Sequence, residues 1–384
     1  MIAIEPIQMV DLKTQYHRLK SDIDEAIQQC LHQGDYINGH YVREFQQDLA
    51  HFLRVSRVVT CANGTDALQL ALMGLGLKPG DEVIVPAFSY VATAEVIALL
   101  GLTPVWADVD PLTFNLTADQ VERVITPRTK AVIPVHLFGQ CVDMTPLLNL
   151  AKSNGLAVVE DTAQALGSEY RLSDGNLQAA GTLGDIGCTS FFPSKNLGCY
   201  GDGGALFTNQ EALGERLRMI ANHGQRQKYV HELVGVNSRL DTLQAAILTV
   251  KLKHLKEFSQ QRQQAAARYD QGLQNIPGLQ IPTQATYSTH VYHQYTLKVA
   301  AGLRDGLKAH LSKHGVPSMV YYPIPLHQQP AYQSSRYPKN SFPIAEALCQ
   351  EVLSLPMHTE LNSDVQGLIC SLIGDYMTQQ IKSA

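Results

Sequence analysis

Between about residues 62 and 206, short runs of β-branched and apolar residues (83–85, 104–107, 131–135 and 157–160) alternate with longer stretches of helical periodicity. That rhythm predicts an α/β fold, a mainly parallel sheet covered on both faces by helices. The preceding region, 12–53, is helical in pattern and is interrupted by the turn-rich Gly34-Asp35-Tyr36-Ile37-Asn38-Gly39. A Gln-, Ala- and Leu-rich region, 241–273, contains no proline and reads as a long helical region linking a large domain to a smaller one. Its Gln-rich part, 260–264, reads as a solvated helix face. The terminal third mixes a candidate strand at 294–299 with helices near 303–314 and 345–353, an α+β pattern. The expected division is 1–250 for an N-terminal segment with the large domain, and 251–384 for the linking helix with the small domain.

Candidate chemistry gathers where the strands should end. Ser190-Phe191-Phe192-Pro193-Ser194-Lys195-Asn196-Leu197-Gly198, followed by Gly201-Asp202-Gly203-Gly204, sets Lys195 in a tight turn between apolar and glycine-rich runs. Desolvation there would lower the ammonium pKa and fit the amine for Schiff-base chemistry. Asp161 closes the run 157–160, at the end of a strand where open α/β sheets bind ligands. It would hold a pyridinium nitrogen protonated or, alternatively, cap a helix opening at Ala163. Asn63-Gly64-Thr65-Asp66 opens a strongly helical segment, so its free amides and the Thr65 hydroxyl suit a phosphate, with an ordinary cap as the rival reading. Tyr90, after the run 83–85, falls at another strand exit and could stack on a planar ring or sit in the core.

Composition excludes several classes. Charged residues make up 17% and the formal net charge is -5, so no basic field points to nucleic acid. The seven cysteines are scattered, without CxxC or zinc spacing, which favours free thiols in a reducing cytosol, with Cys199 in a packing role. No segment reads as a secretion signal or a membrane span, so a soluble cytoplasmic protein is expected. The 14 histidines form no metal-ligand pattern, and His136 and His293 read as structural hydrogen-bonding groups.

The ordered motifs extend further. They include Asp11-Leu12-Lys13, Val135-His136-Leu137-Phe138-Gly139-Gln140, Glu160-Asp161-Thr162-Ala163-Gln164, Gly235-Val236-Asn237-Ser238-Arg239-Leu240, Pro323-Ile324-Pro325-Leu326-His327 and Leu353-Ser354-Leu355-Pro356-Met357-His358. With these, the chain from about 10 to 372 resembles the sugar aminotransferases of the DegT/DnrJ/EryC1/StrS group. The resemblance implies a fold-type I enzyme that uses pyridoxal 5'-phosphate to aminate nucleotide-linked keto sugars. It implies that Lys195 carries the cofactor as a Schiff base, that Asp161 pairs with the pyridine nitrogen and that Gln164 lies near the phenolic oxygen. Tyr90 stands in the place of the stacking aromatic. Gly64, Thr65 and Ser190, with Asn63 beside them, match the phosphate-binding positions. Asn237 matches a residue that reaches the phosphate of the neighbouring subunit, so a homodimer with shared sites is implied.

Substrate contacts are expected from Tyr321, Tyr322 and His327. Arg239 is a candidate partner for a substrate anion, with a buried structural ion pair as its rival reading. The implied reaction is a ping-pong transamination with L-glutamate as donor, in cell-surface polysaccharide or amino-sugar biosynthesis. The segments around 191–204, 223–225 and 235–242 look most like enzymes that aminate C3 of UDP-2-acetamido-2-deoxy-3-keto-glucuronic acid. Those relatives carry His-Tyr where this chain has Tyr321-Tyr322, which keeps a dTDP-3-keto-6-deoxyhexose, or amination of a 4-keto sugar, as alternatives. A PLP-binding regulator or scaffold without turnover is the reading from another class.

Overall fold

The computed structural model describes residues 6–383. Two helices open the chain, α1 (Leu12–Gln33) and α2 (His40–Leu53), followed by strand β1 (Arg57–Cys61). The expected alternation then runs α3 (Gly64–Leu75), β2 (Glu82–Pro86), α4 (Ala92–Leu99), β3 (Thr103–Ala107), α5 (Ala118–Glu122), β4 (Thr129–Val132), α6 (Met144–Asn154) and β5 (Ala157–Asp161). A small hairpin of β6 (Glu169–Arg171) and β7 (Leu177–Ala179) precedes β8 (Ile186–Ser190), β9 (Gly204–Thr208) and α7 (Glu211–Ala221). A second hairpin, β10 (Gln225–Gln227) with β11 (Val230–His231), leads to α8 (Thr242–Leu252) and α9 (Leu255–Leu273). The chain closes with β12 (Leu279–Gln280), β13 (Tyr295–Val299), α10 (Arg304–Lys313), α11 (Pro343–Glu351), β14 (Val352–Leu355) and α12 (Ser363–Ser383).

Seven strands form the main sheet in the order β1-β9-β8-β5-β4-β2-β3. The pairings from β8 through β3 are parallel, whereas β9 runs antiparallel to both its neighbours. Six strands therefore point the same way, and β9 alone returns. The alternation of side chains across the pleat feeds two cores. Val59, Cys61 and Leu206 face the cluster shared with α3, α4 and α6, while Val58, Ala205 and Phe207 face the cluster built by α1, α2 and α8.

A third cluster holds the smaller body: β13 and β14, paired antiparallel, with residues of α9, α10 and α12. The helical region expected over 241–273 is present as two helices, with a break at Lys253-His254. The apolar α8 is buried nearly all round within the large core, so it cannot also serve as a spacer. The amphipathic α9 does the joining, and the core changes along it between Phe258 and Ala265. The expected helix through 353 stops at Glu351, because the buried run from Val352 finds an open edge on β13. A short apolar run fits a buried strand as readily as a helix end. No helix among the described residues is long and apolar enough to cross a membrane.

Candidate active site

Five parallel strands deliver residues from their carboxyl ends into one cavity of about 670 Å³. From β1 come Asn63, Gly64, Thr65 and Asp66; from β2, Ser89 and Tyr90; from β4, Val135; from β5, Asp161 and Gln164; from β8, Ser190 and Lys195. Asp202, just before β9, lines the same cavity. Ligand binding outside the carboxyl ends of the strands is the rule for open α/β sheets.

The lysine turn is tied down at both ends. Because β9 is antiparallel to β8, Ser190 and Gly204 pair across the ladder, and the intervening loop leaves and returns at one place. The Phe191 amide donates to the Gly203 carbonyl at 2.7 Å, that of Cys199 to Phe191 at 2.8 Å and that of Lys195 to Phe192 at 2.8 Å. At Gly198 a Cβ would lie 2.3 Å from the Pro193 carbonyl oxygen, so the fold of this loop requires glycine. The Gly198 carbonyl accepts from the ammonium of Lys251, a side chain on α8 that is 1% exposed. Cys199 is buried with its thiol directed to backbone carbonyls, a packing role as its sequence context suggests.

Burial lowers the Lys195 ammonium from 10.5 to about 8, against the opposing pull of Asp161. Asp161, 7% exposed, has its carboxyl raised by the same burial, against the Ala163 amide, Lys195 and His136. Desolvation thus wins over mutual attraction for both groups, and a cationic ring nitrogen brought to Asp161 would offset its cost. The helix-cap alternative for Asp161 is not realised, because residues 163–167 form turns and no helix follows. Its Oδ1 instead accepts from the Ala163 amide two residues on, at 3.0 Å. The neighbouring Glu160 accepts from His136 Nε2 at 2.8 Å and from the amides of Gly181, Leu183 and Gly184, which fixes the exit of β5.

Asn63-Gly64-Thr65 opens α3, as its helical pattern predicts. The Asn63 side chain caps the helix by accepting from the Asp66 amide at 2.8 Å, and the first-turn amides of Gly64 and Thr65 precede any helical partner. A Cβ at Gly64 would lie 2.6 Å from Ser190 Cβ, so the two strand exits approach as closely as glycine allows. Helix dipole, free amides and the Thr65 and Ser190 hydroxyls together fit a phosphate. With Lys195, Asp161 and the flat rim of Tyr90, this lining fits pyridoxal phosphate. Tyr90 is 55% exposed at that rim, with its ring centroid 6.1 Å from that of Tyr322. Gln164 accepts from the Phe138 amide at 2.9 Å and donates to the Tyr322 hydroxyl at 3.1 Å. Tyr321 and Tyr322 both line the cavity.

Three of the expected site residues, His327, Arg239 and Asn237, lie outside this cavity, Asn237 having been expected at the neighbouring subunit's site. His327 is buried beside a separate polar cavity with Gln328 and Tyr337, its Nε2 3.3 Å from Glu346. The Leu326 amide bonds to the Ala87 carbonyl, and the short helical turn after it directs His327 toward α11 rather than toward Lys195. Asn237 and Arg239 do not line the cavity of their own chain. Arg239 is half-buried and makes no ion pair among the described residues, which removes its structural-pair reading.

His293 and Gln294 were not expected in the site, yet they line the cavity from the head of β13. His293 is 5% exposed; its Nε2 lies 3.5 Å from Gln294 Nε2, as its sequence context suggests, while its Nδ1 has no partner among the described residues. Burial, then Lys195 and Arg262, hold its ring well below the ordinary histidine range. No group of His, Cys, Asp and Glu among the described residues could hold a metal ion.

The chain is similar in sequence and fold to known proteins. The UDP-2-acetamido-2-deoxy-3-oxo-D-glucuronate aminotransferase of Pseudomonas aeruginosa is 47% identical over 367 residues, covering 96% of this chain and 99% of that one. A pleiotropic regulatory protein of Geobacillus stearothermophilus is 44% identical over 96% of this chain and 98% of its own length. The crystal structure of S. venezuelae DesV in complex with a ketimine intermediate superposes with a TM-score of 0.92 at 41% identity, covering 97% of this chain and 98% of that one. Residues 17–373 match the DegT/DnrJ/EryC1/StrS aminotransferase family, and the chain belongs to that family of pyridoxal-phosphate-dependent enzymes.

Proposed function

We propose that the chain transfers an amino group from L-glutamate to C3 of UDP-2-acetamido-2-deoxy-3-keto-glucuronic acid, acting in the cytosol as a homodimer. The observation that carries the reading is one cavity in which Lys195, lowered to about 8, shares space with Asp161 and the α3 N-terminus. Pyridoxal phosphate, when bound, supplies an electron sink for the carbanion that develops on losing a proton. Lys195 takes that proton from the donor carbon and returns it in the opposite sense in the second half-reaction. Asp161 keeps the ring nitrogen protonated, Gln164 meets the phenolic oxygen, and Gly64, Thr65 and Ser190 hold the phosphate. Tyr90 covers the ring, while Tyr321 and Tyr322 bound the space left for the sugar.

The P. aeruginosa relative supports the uronate substrate. Among the residues lining the cavity, Lys195 is the only Lys or Arg, alongside Asp66, Glu95, Asp161 and Asp202. Glutamate and a uronate both bring carboxylates, so a further cation is needed. Arg239 from a second copy supplies it, entering with Asn237. The proposed bodies are residues 1–250 and 251–384, with the cavity between them.

The half-reaction run backwards tests the substrate: the pyridoxal form is mixed with a panel of amino sugar nucleotides and its absorbance followed. The UDP-linked 3-amino uronate is expected to bleach it fastest; faster conversion by a dTDP-linked 3-amino-6-deoxyhexose or a 4-amino sugar would refute the uronate. No spectral change with glutamate would leave a PLP-binding regulator in its place. Mixing an inactive Lys195→Ala chain with an inactive Asn237→Asp chain tests the shared site, since activity should return once subunits exchange.

A further inference from the structure

The segment bearing Asn237 and Arg239 has two faces. Along it burial alternates: Asn237 is exposed and Arg239 half-buried, whereas Ser238 and Leu240 are 0% and 1% exposed. A period of two is that of extended backbone, in which neighbours point to opposite sides. The segment is laced to the end of α7, with the Val236 amide donating to Ile220 and that of Ser238 to Ala221, at 2.8 and 2.9 Å.

Ser238 faces inward onto the phosphate cradle of its own chain. Its hydroxyl donates to Asp66 Oδ2 at 2.6 Å and accepts from the Ala62 amide at 3.1 Å. Asp66 lines the catalytic cavity and stands in the first turn of α3, the turn capped by Asn63. One buried hydroxyl therefore joins the cradle of one site to the segment whose outward residues lie outside it.

We propose that Ser238 is a positioning residue that couples the two active sites of the dimer: through Asp66 and Ala62, the cradle of one subunit sets the reach of Asn237 and Arg239 into the other. This rests on the shared-site reading above. When the α3 turn is ordered, Asp66 and the Ala62 amide hold Ser238, and the outward pair is fixed with it. When that turn is loose, the arm is loose, and the neighbouring site loses its cation and its phosphate contact.

The test uses heterodimers with one working site. One chain carries Lys195→Ala and donates an intact arm; the other carries Asn237→Asp and keeps its lysine. Ser238→Ala is then added to the arm-donating chain, whose own site is already inactive, so any local effect there is silent. The working site is expected to show a KM for the keto sugar raised about tenfold, with kcat changed much less, the size of one hydrogen bond to a charged group. Its cofactor should also be lost faster on timed dialysis, read as the fraction trapped on Lys195 by borohydride. Ser238→Cys, which keeps a donor, should recover part of the loss. If the alanine chain does not assemble, Asp66→Ala removes the same bond from the other side and is read identically. An effect appearing only when Ser238→Ala sits on the lysine-bearing chain overturns the coupling and leaves a local cradle role. A parent heterodimer with no activity, subunit exchange having been shown, overturns the shared site and the coupling together.

Discussion

The lowered pKa of Lys195 makes a quantitative prediction for the cofactor-free protein. A lysine at 10.5 is neutral in about one molecule per thousand at pH 7.5, whereas one at about 8 is neutral in about a quarter of them, a gain of about 200-fold in reactive amine. Only the neutral amine attacks an aldehyde. The rate of pyridoxal phosphate capture by apoprotein should therefore rise with pH, show a midpoint near 8 and level off above about 9. The assay is stopped-flow absorbance of cofactor capture from pH 6.5 to 10.5, with borohydride trapping and peptide mapping to assign the lysine. Mapping matters because Lys251 is also lowered to about 8 by burial. Lys251 is 1% exposed and hydrogen-bonded to Gly198, so it should carry no label, and Lys195→Ala should abolish capture altogether. A midpoint near 10, or label on another lysine, would refute the desolvated-amine argument. The stability of the apoprotein should rise over a higher pH window than the capture rate. The folded pKa lies below the unfolded one, so the unfolded chain binds more protons between about 8 and 10.5 and stability rises across that window.

Asp161→Asn keeps the shape of the carboxyl but removes its charge, so rapid-mixing kinetics with glutamate should show proton transfer slowed far more than cofactor affinity is weakened; an unchanged half-reaction would strip Asp161 of its role. His290 and His358, lowered by burial to about 3 and about 4, are kept neutral by the fold, so acid should destabilise it. Each costs about 2 kcal/mol between pH 6.5 and 5, because the unfolded chain takes up the proton first, and urea midpoints at pH 7 and 5 should differ accordingly. Lys251→Met exchanges a buried ammonium, without a carboxylate partner among the described residues, for an apolar side chain, so thermal stability should change by about 1 kcal/mol or less. The Gly198 carbonyl loses its donor, and the transamination rate should fall severalfold as the lysine loop loosens; a drop in melting temperature at unchanged rate would reverse this assignment.

Much of this architecture was legible because parallel strands are short apolar runs, and the residues that follow them leave the sheet on one side. Asn63, Tyr90, Asp161, Ser190 and Lys195 are placed by that rule alone, each within a few residues of a strand exit. What escaped is set by distance along the chain. His293 and Gln294 enter from the head of a strand in the smaller body, and no local pattern ties position 293 to position 195. His327 fails in the other direction: the segment passes the cavity, but the turn at residues 326–328 sends the imidazole to Glu346. The break between α8 and α9 carries neither glycine nor proline, and a change of burial between two cores leaves little trace in sequence.

The reversed strand β9 also governs when a growing chain can first hold its cofactor. Strand β1, which ends just before the phosphate cradle, has β9 as its sole partner in the sheet, with Arg57 opposite Thr208 and Cys61 opposite Gly204. The lysine hairpin, by contrast, closes on itself over a short span once β9 has been made. A nascent chain that stops short of residue 204 thus contains the cradle, Asp161 and Lys195, with Asp161 already registered opposite Cys188 across β5 and β8, but β1 lacks its strand partner and the lysine loop is open. Emergence of residues 204–208 from the ribosome anchors β1 and closes the lysine loop in one event, so cofactor capture should appear abruptly with chain length.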